Sequence, residues 1–135
     1  MIIGIGVDLF SVTRVEEDLE KGEKGLRDEI FTPEEIAYCQ SKRYPAQHFA
    51  ARFAAKEAVF KALGAAGMAA AHWRDVEVRS ERSGRSFVHL NGKVRETADA
   101  LGVAKIYVSL SHTRDWAVAS VVMEAADGRS TTLPS

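Results

Sequence analysis

The chain has 135 residues, a net charge of −1 and 46% hydrophobic residues. This length predicts one domain with a modest core, and the near-neutral charge argues against a surface built to bind nucleic acid. Its one cysteine, Cys39, excludes an internal disulfide and indicates a reducing cytoplasm. We expect neither a signal peptide nor a membrane span, because the apolar start reaches Asp8 within a few residues.

The first predicted strand is the apolar, β-branched run at residues 2–7, which is typical of a strand buried on both faces. Gly4 and Gly6 within it permit close approach by another backbone or by a ligand. Asp8 follows at the predicted end of the strand. It is either a functional acid or a turn residue that caps the next helix.

Two helical segments are predicted next. Charged residues dominate residues 11–27, which indicates a surface helix broken near Gly22 or Gly25. The sequence Thr32-Pro33-Glu34-Glu35 predicts a second helix start, because Thr32 can cap the helix and Glu35 can complete a capping box.

The longest predicted helix carries an acid at an unusual position. It begins near Ala46 and ends at Gly64, a residue type common just after helix C-termini. On a helical projection Glu57 falls among phenylalanines and alanines, and a buried carboxylate is costly unless it is paired or binds a metal. The alternative is a solvent-exposed pair with Lys61, which lies one turn later.

The second half of the chain predicts two hairpins with a helix between them. Strands at 76–79 and 87–90 flank a turn, a helix covers 93–101, and two further strands cover 105–111 and 116–123. The whole order predicts an α+β fold in which a mostly antiparallel sheet of about five strands packs against helices. We expect a single domain over residues 1–124, a disordered tail at 125–135, and sheet edges left for oligomerisation.

Three of these residues together favour phosphoryl-type transfer. Asp8 and Glu57 are hard oxygen donors suited to one Mg²⁺, and Lys61 would neutralise phosphate charge. A zinc site is not favoured, because the histidines lack the spacing of helical ligand pairs, and no P-loop is present.

Three segments, in this order, carry a family resemblance. They are Gly4-Ile5-Gly6-Val7-Asp8 with Arg14, Arg52-Phe53-Ala54-Ala55-Lys56-Glu57-Ala58 with Lys61-Ala62 and Gly64, and Ser109-Leu110-Ser111-His112-Thr113. The chain resembles the holo-(acyl carrier protein) synthases, the small homotrimeric class of 4′-phosphopantetheinyl transferases, from Ile2 to Glu124.

The resemblance implies a 4′-phosphopantetheinyl transferase-like fold and a specific reaction. The phosphopantetheine arm of coenzyme A would move to a serine of an apo acyl carrier protein, with release of adenosine 3′,5′-bisphosphate. Asp8 and Glu57 would hold Mg²⁺ against the pyrophosphate, and Lys61 would contact the phosphates. Glu57, or a water on the metal, would accept the serine proton. The implied setting is fatty-acid or polyketide biosynthesis in the cytoplasm.

Further contacts follow from the same resemblance. Coenzyme A would contact Arg52, Gly64 and His112, with His112 reaching into a neighbouring subunit's site. Arg43, with Lys42 beside it, is a candidate for the 3′-phosphate.

Carrier docking would use the first helix, which is often basic in relatives. Its candidate docking residues are Arg14, Lys21 and Lys24. Here five acids are interleaved with the basic residues. A second departure is Ser86, where relatives usually place a proline that packs on the nucleotide.

Two alternatives use the same residues. One is a metal-dependent nuclease, which the neutral charge argues against. The other is a noncatalytic oligomer that binds carrier proteins, although retention of Asp8, Glu57, Lys61 and His112 argues for catalysis.

Overall fold

The computed structural model describes residues 1–21 and 24–126, without the side chains of residues 24–26. In chain order the elements are β1 (Ile2–Ser11), α1 (Val12–Glu20), α2 (Lys24–Ile30), α3 (Pro33–Gln40), α4 (Pro45–Ala69), a 3₁₀ turn (Trp73–Asp75), β2 (Val76–Ser80), β3 (Ser86–Leu90), α5 (Gly92–Ala100), β4 (Val103–His112) and β5 (Trp116–Ala125). Gly22, one of the two predicted helix breaks, and the predicted tail from residue 127 onward lie outside the described residues.

The strands of the described residues form two antiparallel sheets. In the three-stranded sheet β5 lies between β1 and β4, and β2 pairs with β3 as a separate hairpin. The predicted α+β architecture of antiparallel strands and packed helices is confirmed, with its strands divided between these two sheets. No helix in the described ranges has the length and apolar character needed to cross a bilayer.

Helix α4 packs across the three-stranded sheet, and the main core lies between them and the β2–β3 hairpin. Close packing depends on Gly4 and Gly6, because a Cβ at these positions would overlap the carbonyl oxygens of Ala62 and Ala58. The approach by another backbone that these glycines predict is therefore provided by α4. The buried core residues include Ala58, Val59, Phe60, Val76, Val94, Val121 and Met123.

The expectation that β1 is buried on both faces was wrong. One face packs on α4, whereas Ile5, Val7 and Leu9 on the other face are each more than half exposed. The strand also continues to Ser11, so Asp8 lies inside it, opposite Ala119 of β5. Ser11 caps α1 by accepting a hydrogen bond from the Arg14 backbone N–H at 3.2 Å. The alternative of Asp8 as the helix cap is therefore wrong.

The prediction that the long helix ends at Gly64 is confirmed for its first segment. Gly64 adopts φ 76° and ψ −153°, a backbone conformation that glycine reaches readily. The chain kinks there and resumes as helix to Ala69. A glycine at such a position predicts a break in the helix. It does not predict whether the chain continues as a second helix after the break.

The buried charged residues on α4 are Arg52 and Lys56, whereas Glu57 is half-buried. The Lys56 ammonium lies 2.8 Å from the Glu35 carboxylate and donates hydrogen bonds to the Trp73 and Val76 carbonyls. Glu35 forms the predicted capping box with Thr32 as well. The prediction that Glu57 lies on the buried side of the helix therefore needs correction. Lys56 faces the core instead, because its tertiary partners satisfy its charge.

Candidate active site

Asp8, Glu57 and Lys61 meet where β1 lies against α4. Lys61 Nζ lies 2.7 Å from Asp8 Oδ1 and 3.4 Å from the Val7 carbonyl oxygen. Asp8 is mostly buried, at 12% side-chain exposure, whereas Lys61 is half exposed. Lys61 therefore pairs with an acid from another element, and the solvent-exposed pair with Glu57 is not the contact that the structure forms.

Glu57 occupies a site that disfavours its charge. Desolvation raises its pKa, the negative charge of Asp8 raises it further, and Lys61 partly opposes these effects. Two carboxylates that repel each other in a partly desolvated site would be relieved by a cation between them. Their oxygen donors and number fit Mg²⁺, which commonly takes one or two protein carboxylates and completes its shell with water and phosphate oxygens.

Lys61 remains a cation in this setting. Its hydrogen bond to Asp8 raises its pKa, with additional support from the charges of Asp8 and Glu57. A permanently charged, half-exposed ammonium beside two acids is suited to contact a phosphate oxygen as a point charge.

A second polar cluster lies around Arg52, one of the predicted coenzyme A contacts. The side chain is buried, its Nη2 donates to Ser80 Oγ at 3.0 Å, and its guanidinium lies 4.0 Å from the centre of the Tyr38 ring. The ammonium of Lys42 lies 4.6 Å from the same ring centre. Arg52 Nε is buried and makes no hydrogen bond with any described residue.

His112 lies at the edge of this second cluster. Its ring is 5.1 Å from that of His48 of the same chain, and His48 in turn lies 6.1 Å from Tyr38. Burial lowers the pKa of His48, and the charges of His112, Arg52 and Lys42 lower it further. The sequence-predicted Arg52 and His112 are thus parts of one cationic region.

The two clusters lie on different sides of α4. Arg52 and Glu57 are five residues apart, which separates their directions by about 140° around a helix. Arg52 contacts Ser80 in β2, whereas Lys61, one turn after Glu57, contacts Asp8 in β1. A single chain therefore presents two separate polar clusters, one around Asp8 and Lys61 and one around Arg52.

The remaining predicted contacts are more peripheral. Arg43 is exposed and lies 5.3 Å from the Tyr44 ring centre, and its contacts in the structure do not include the Arg52 cluster. Gly64 is exposed at the α4 kink, one turn beyond the Lys61 position, and no heavy atom lies within 4 Å of where its Cβ would stand.

The predicted docking residues lie at the charged surface of α1. Arg14 and Lys21 are exposed, as is Glu17 between them, and the Arg14 guanidinium lies 5.8 Å from the Phe10 ring centre. The side chain of Lys24 lies outside the described residues. Opposite charges are therefore interleaved on the exposed surface of α1.

Sequence reasoning missed Tyr38, His48 and Ser80 as members of the Arg52 cluster. Tyr38 and Lys42 have the i,i+4 spacing of helical neighbours, which was an available signal. His48 lies one turn before Arg52 on α4 and has the same i,i+4 spacing, whereas Ser80 gave no local signal because it joins the cluster through tertiary packing.

Comparison with known proteins places this geometry in a family. Residues 4–121 match the family model described as the 4′-phosphopantetheinyl transferase superfamily. A holo-[acyl-carrier-protein] synthase of Koribacter versatilis is 42% identical over 92% of this chain and 99% of its own length. A protein of the same description from Geobacter sp. is 44% identical over the same shares of the two chains.

Solved structures of similar proteins support the same family. The holo-[acyl-carrier-protein] synthase of Neisseria meningitidis superposes with a TM-score of 0.80 at 29% identity, covering 92% of this chain and 99% of that one. The Bacillus anthracis enzyme, described as a complex with coenzyme A (3′,5′-ADP), gives a TM-score of 0.75 at 30% identity over 93% and 99% of the two chains. The chain therefore belongs to the 4′-phosphopantetheinyl transferase superfamily, among the holo-[acyl-carrier-protein] synthases.

Proposed function

We propose that this protein transfers the 4′-phosphopantetheine group of coenzyme A to a serine of an apo acyl carrier protein, with Mg²⁺, and releases adenosine 3′,5′-bisphosphate. The observation that supports it best is the convergence of Asp8, Glu57 and Lys61 at the contact between β1 and α4. Two acids and one lysine provide a metal site beside a phosphate contact, which is the equipment that phosphoryl-type transfer needs.

Asp8 and Glu57 are the residues that would hold Mg²⁺ in this chain. The bound ion would neutralise charge on the pyrophosphate and polarise the phosphorus that is attacked. The raised pKa of Glu57 supports this assignment, because binding a cation offsets the cost of keeping that carboxylate ionised.

The chain's own residues would supply charge neutralisation and proton transfer. The serine oxygen bonds to the phosphorus that bears the pantetheine arm, as the bond from that phosphorus to adenosine 3′,5′-bisphosphate breaks. Lys61 offsets the charge that develops on the leaving group. Glu57, or a water held by the metal, would accept the serine proton.

We propose further that the active sites form between subunits of a homotrimer. In one chain the Arg52 and His112 region lies on the other side of α4 from Glu57, so one substrate would need half-sites from two copies. The exposed apolar face of β1 offers a surface for such contacts, because Ile5, Val7 and Leu9 remain more than half exposed.

The acyl carrier protein would dock on α1, through Arg14 and Lys21. Lys24 is assigned to the same surface from the sequence. The exposed Glu17 would oppose an acidic partner and weaken part of this attraction.

The test is a transfer assay with purified protein, coenzyme A, Mg²⁺ and an apo carrier, read by intact-protein mass. We expect the carrier to gain the mass of one phosphopantetheine group. Cleavage of added DNA without this mass change would favour the nuclease alternative. Binding of the carrier without product would favour the noncatalytic oligomer.

A further inference from the structure

Tyr38 lies at the centre of the cationic half-site. The Arg52 guanidinium lies 4.0 Å from its ring centre, the Lys42 ammonium 4.6 Å, and the His48 ring 6.1 Å in an edge-on arrangement. A hydrogen bond with Ser80 lowers the pKa of the Tyr38 phenol, as do the charges of Arg52 and Lys42. One side chain thus contacts both principal cations of the cluster.

The cluster has the positive charge that favours binding of an anion. Neither Arg52 nor Lys42 forms an ion pair with a carboxylate of residues 1–21 or 24–126. Arg52 is 2% exposed, and its Nε is left without a hydrogen-bond partner among those residues. A buried guanidinium with a free N–H is costly unless a ligand completes it.

The chemistry of the two half-sites distinguishes the phosphates of coenzyme A. The Asp8 and Glu57 carboxylates would repel a phosphate unless they held a metal ion, so the pyrophosphate would suit that half-site only together with Mg²⁺. The Arg52 half-site contacts no carboxylate in the described residues and so attracts a phosphate directly. A phosphate monoester, which carries between one and two negative charges near neutral pH, fits it best.

We propose that Tyr38 is a positioning residue that holds the Arg52 and Lys42 cations in place for the 3′-phosphate of coenzyme A. This inference rests on the proposed function and adds to it the residue that organises phosphate recognition. A positioning residue is needed because a flexible cation binds a phosphate less tightly than one that is already held in place. Lys42 lies on the connector after α3, and its long side chain would lose entropy on binding unless it were already held.

The test compares the affinity of two ligands that differ by one phosphate. Coenzyme A and dephospho-coenzyme A, which lacks the 3′-phosphate, are titrated by calorimetry into the full-length protein in Mg²⁺. We expect the wild type to bind coenzyme A more tightly. Tyr38→Leu should raise the Kd for coenzyme A about 5- to 30-fold, the loss expected of two cation–π contacts, and change that for dephospho-coenzyme A less than about 2-fold.

Conservative and control variants sharpen the comparison. Tyr38→Phe keeps the aromatic face and should restore most of the preference for coenzyme A. Tyr44→Leu removes the ring beside Arg43, and a larger selective loss there would move the phosphate site to Arg43 and overturn the proposal. If Tyr38→Leu does not fold, Tyr38→Gln replaces it in the same titrations, since the position is half exposed.

A double-mutant cycle tests the positioning role itself. Lys42→Met should weaken coenzyme A selectively, and combining it with the Tyr38 variant should cost less than the sum of the two losses, because both remove the same contact. Additive losses, or equal losses for both ligands, would overturn the inference. Equal affinity of the wild type for both ligands would overturn it while leaving the proposed function intact, whereas no binding of either ligand would count against the proposed function.

Discussion

Lys61 on α4 and Asp8 on β1 form an ion pair of 2.7 Å across 53 residues of sequence. The pair depends on the glycines of β1, which let the strand lie directly on the α4 backbone. The packing of β1 on α4 sets this contact. Substitution of a β1 glycine should therefore affect stability and the position of Asp8, whereas substitution of an acid should affect the metal site.

Loss of either carboxylate should remove transfer activity without unfolding the protein. Asp8→Ala and Glu57→Ala should each lower kcat/KM about 100-fold or more at saturating Mg²⁺, because the metal loses a ligand and charge stabilisation is lost. Glu96→Ala, which removes an exposed acid of α5, is the control. Full activity of either site variant would rule out a site made of two carboxylates.

Gly6→Ala should destabilise the protein and displace Asp8. The added Cβ would overlap the Ala58 carbonyl oxygen, and overpacking of this kind costs about 1–3 kcal/mol. Chemical denaturation measures the loss, and the transfer assay reports the displaced acid. Gly84→Ala serves for comparison, since no heavy atom lies within 4 Å of its Cβ position and only the positive φ of 93° is strained. An unfolding free energy equal to that of the wild type would show that the packing tolerates a side chain.

Glu57 should link stability to pH in a defined direction. Desolvation and Asp8 raise its pKa above the usual 4.5, so folding favours the protonated form and the ionised form costs stability above the raised pKa. Glu57→Gln should therefore raise Tm at neutral pH without Mg²⁺ and lose this advantage below pH 4.5, where both side chains are neutral. Thermal melts over a pH series measure the difference. A lower Tm for the variant at neutral pH would contradict the assignment.

Transfer activity should also fall on the acid side, because Glu57 must be deprotonated to bind Mg²⁺. The inflection in the pH profile should lie above the ordinary carboxyl value of 4.5, given the raised pKa of Glu57. Raising the Mg²⁺ concentration should shift it to lower pH, since metal and proton compete for one carboxylate. A profile that does not respond to Mg²⁺ would point to another titrating group.

Subunit mixing tests whether two copies complete one site. His112→Ala and Glu57→Ala, each inactive alone, should regain activity when co-expressed, because some interfaces combine an intact Glu57 with an intact His112. Random mixing of equal amounts predicts roughly a quarter of the wild-type sites in a head-to-tail ring. No recovery in verified mixed oligomers, or full activity of a monomer in sedimentation, would rule out the intersubunit site.

Charge changes on α1 test carrier docking. Arg14→Glu should raise the KM for the carrier and leave that for coenzyme A nearly unchanged, because an acidic partner loses an attractive charge. Glu17→Lys should improve carrier affinity by about 0.5–1 kcal/mol, the scale of an exposed charge pair. Steady-state kinetics at two ionic strengths show which part of each change is electrostatic, because salt screens the attraction between exposed charges. If Arg14→Glu instead weakens coenzyme A and spares the carrier, the docking surface lies elsewhere.

The sequence by itself determined the local structure and the family. The capping box of Thr32 and Glu35 and the β2–β3 hairpin follow from residues close in the chain, and the structure forms both. The family resemblance rested on three short segments, because residue types at fixed local spacing are readable without coordinates. Residues whose interactions are local were therefore predicted most closely.

Only the tertiary structure decided which residues meet. Helical periodicity placed Glu57 on an apolar arc, yet the core accepts Lys56, because Glu35 and two carbonyl oxygens satisfy its charge. Lys61 likewise pairs with Asp8 on a distant strand, not with the acid one turn before it. Periodicity gives the direction of a side chain but not its partner across the fold, and for a charged group the partner decides whether burial is stable.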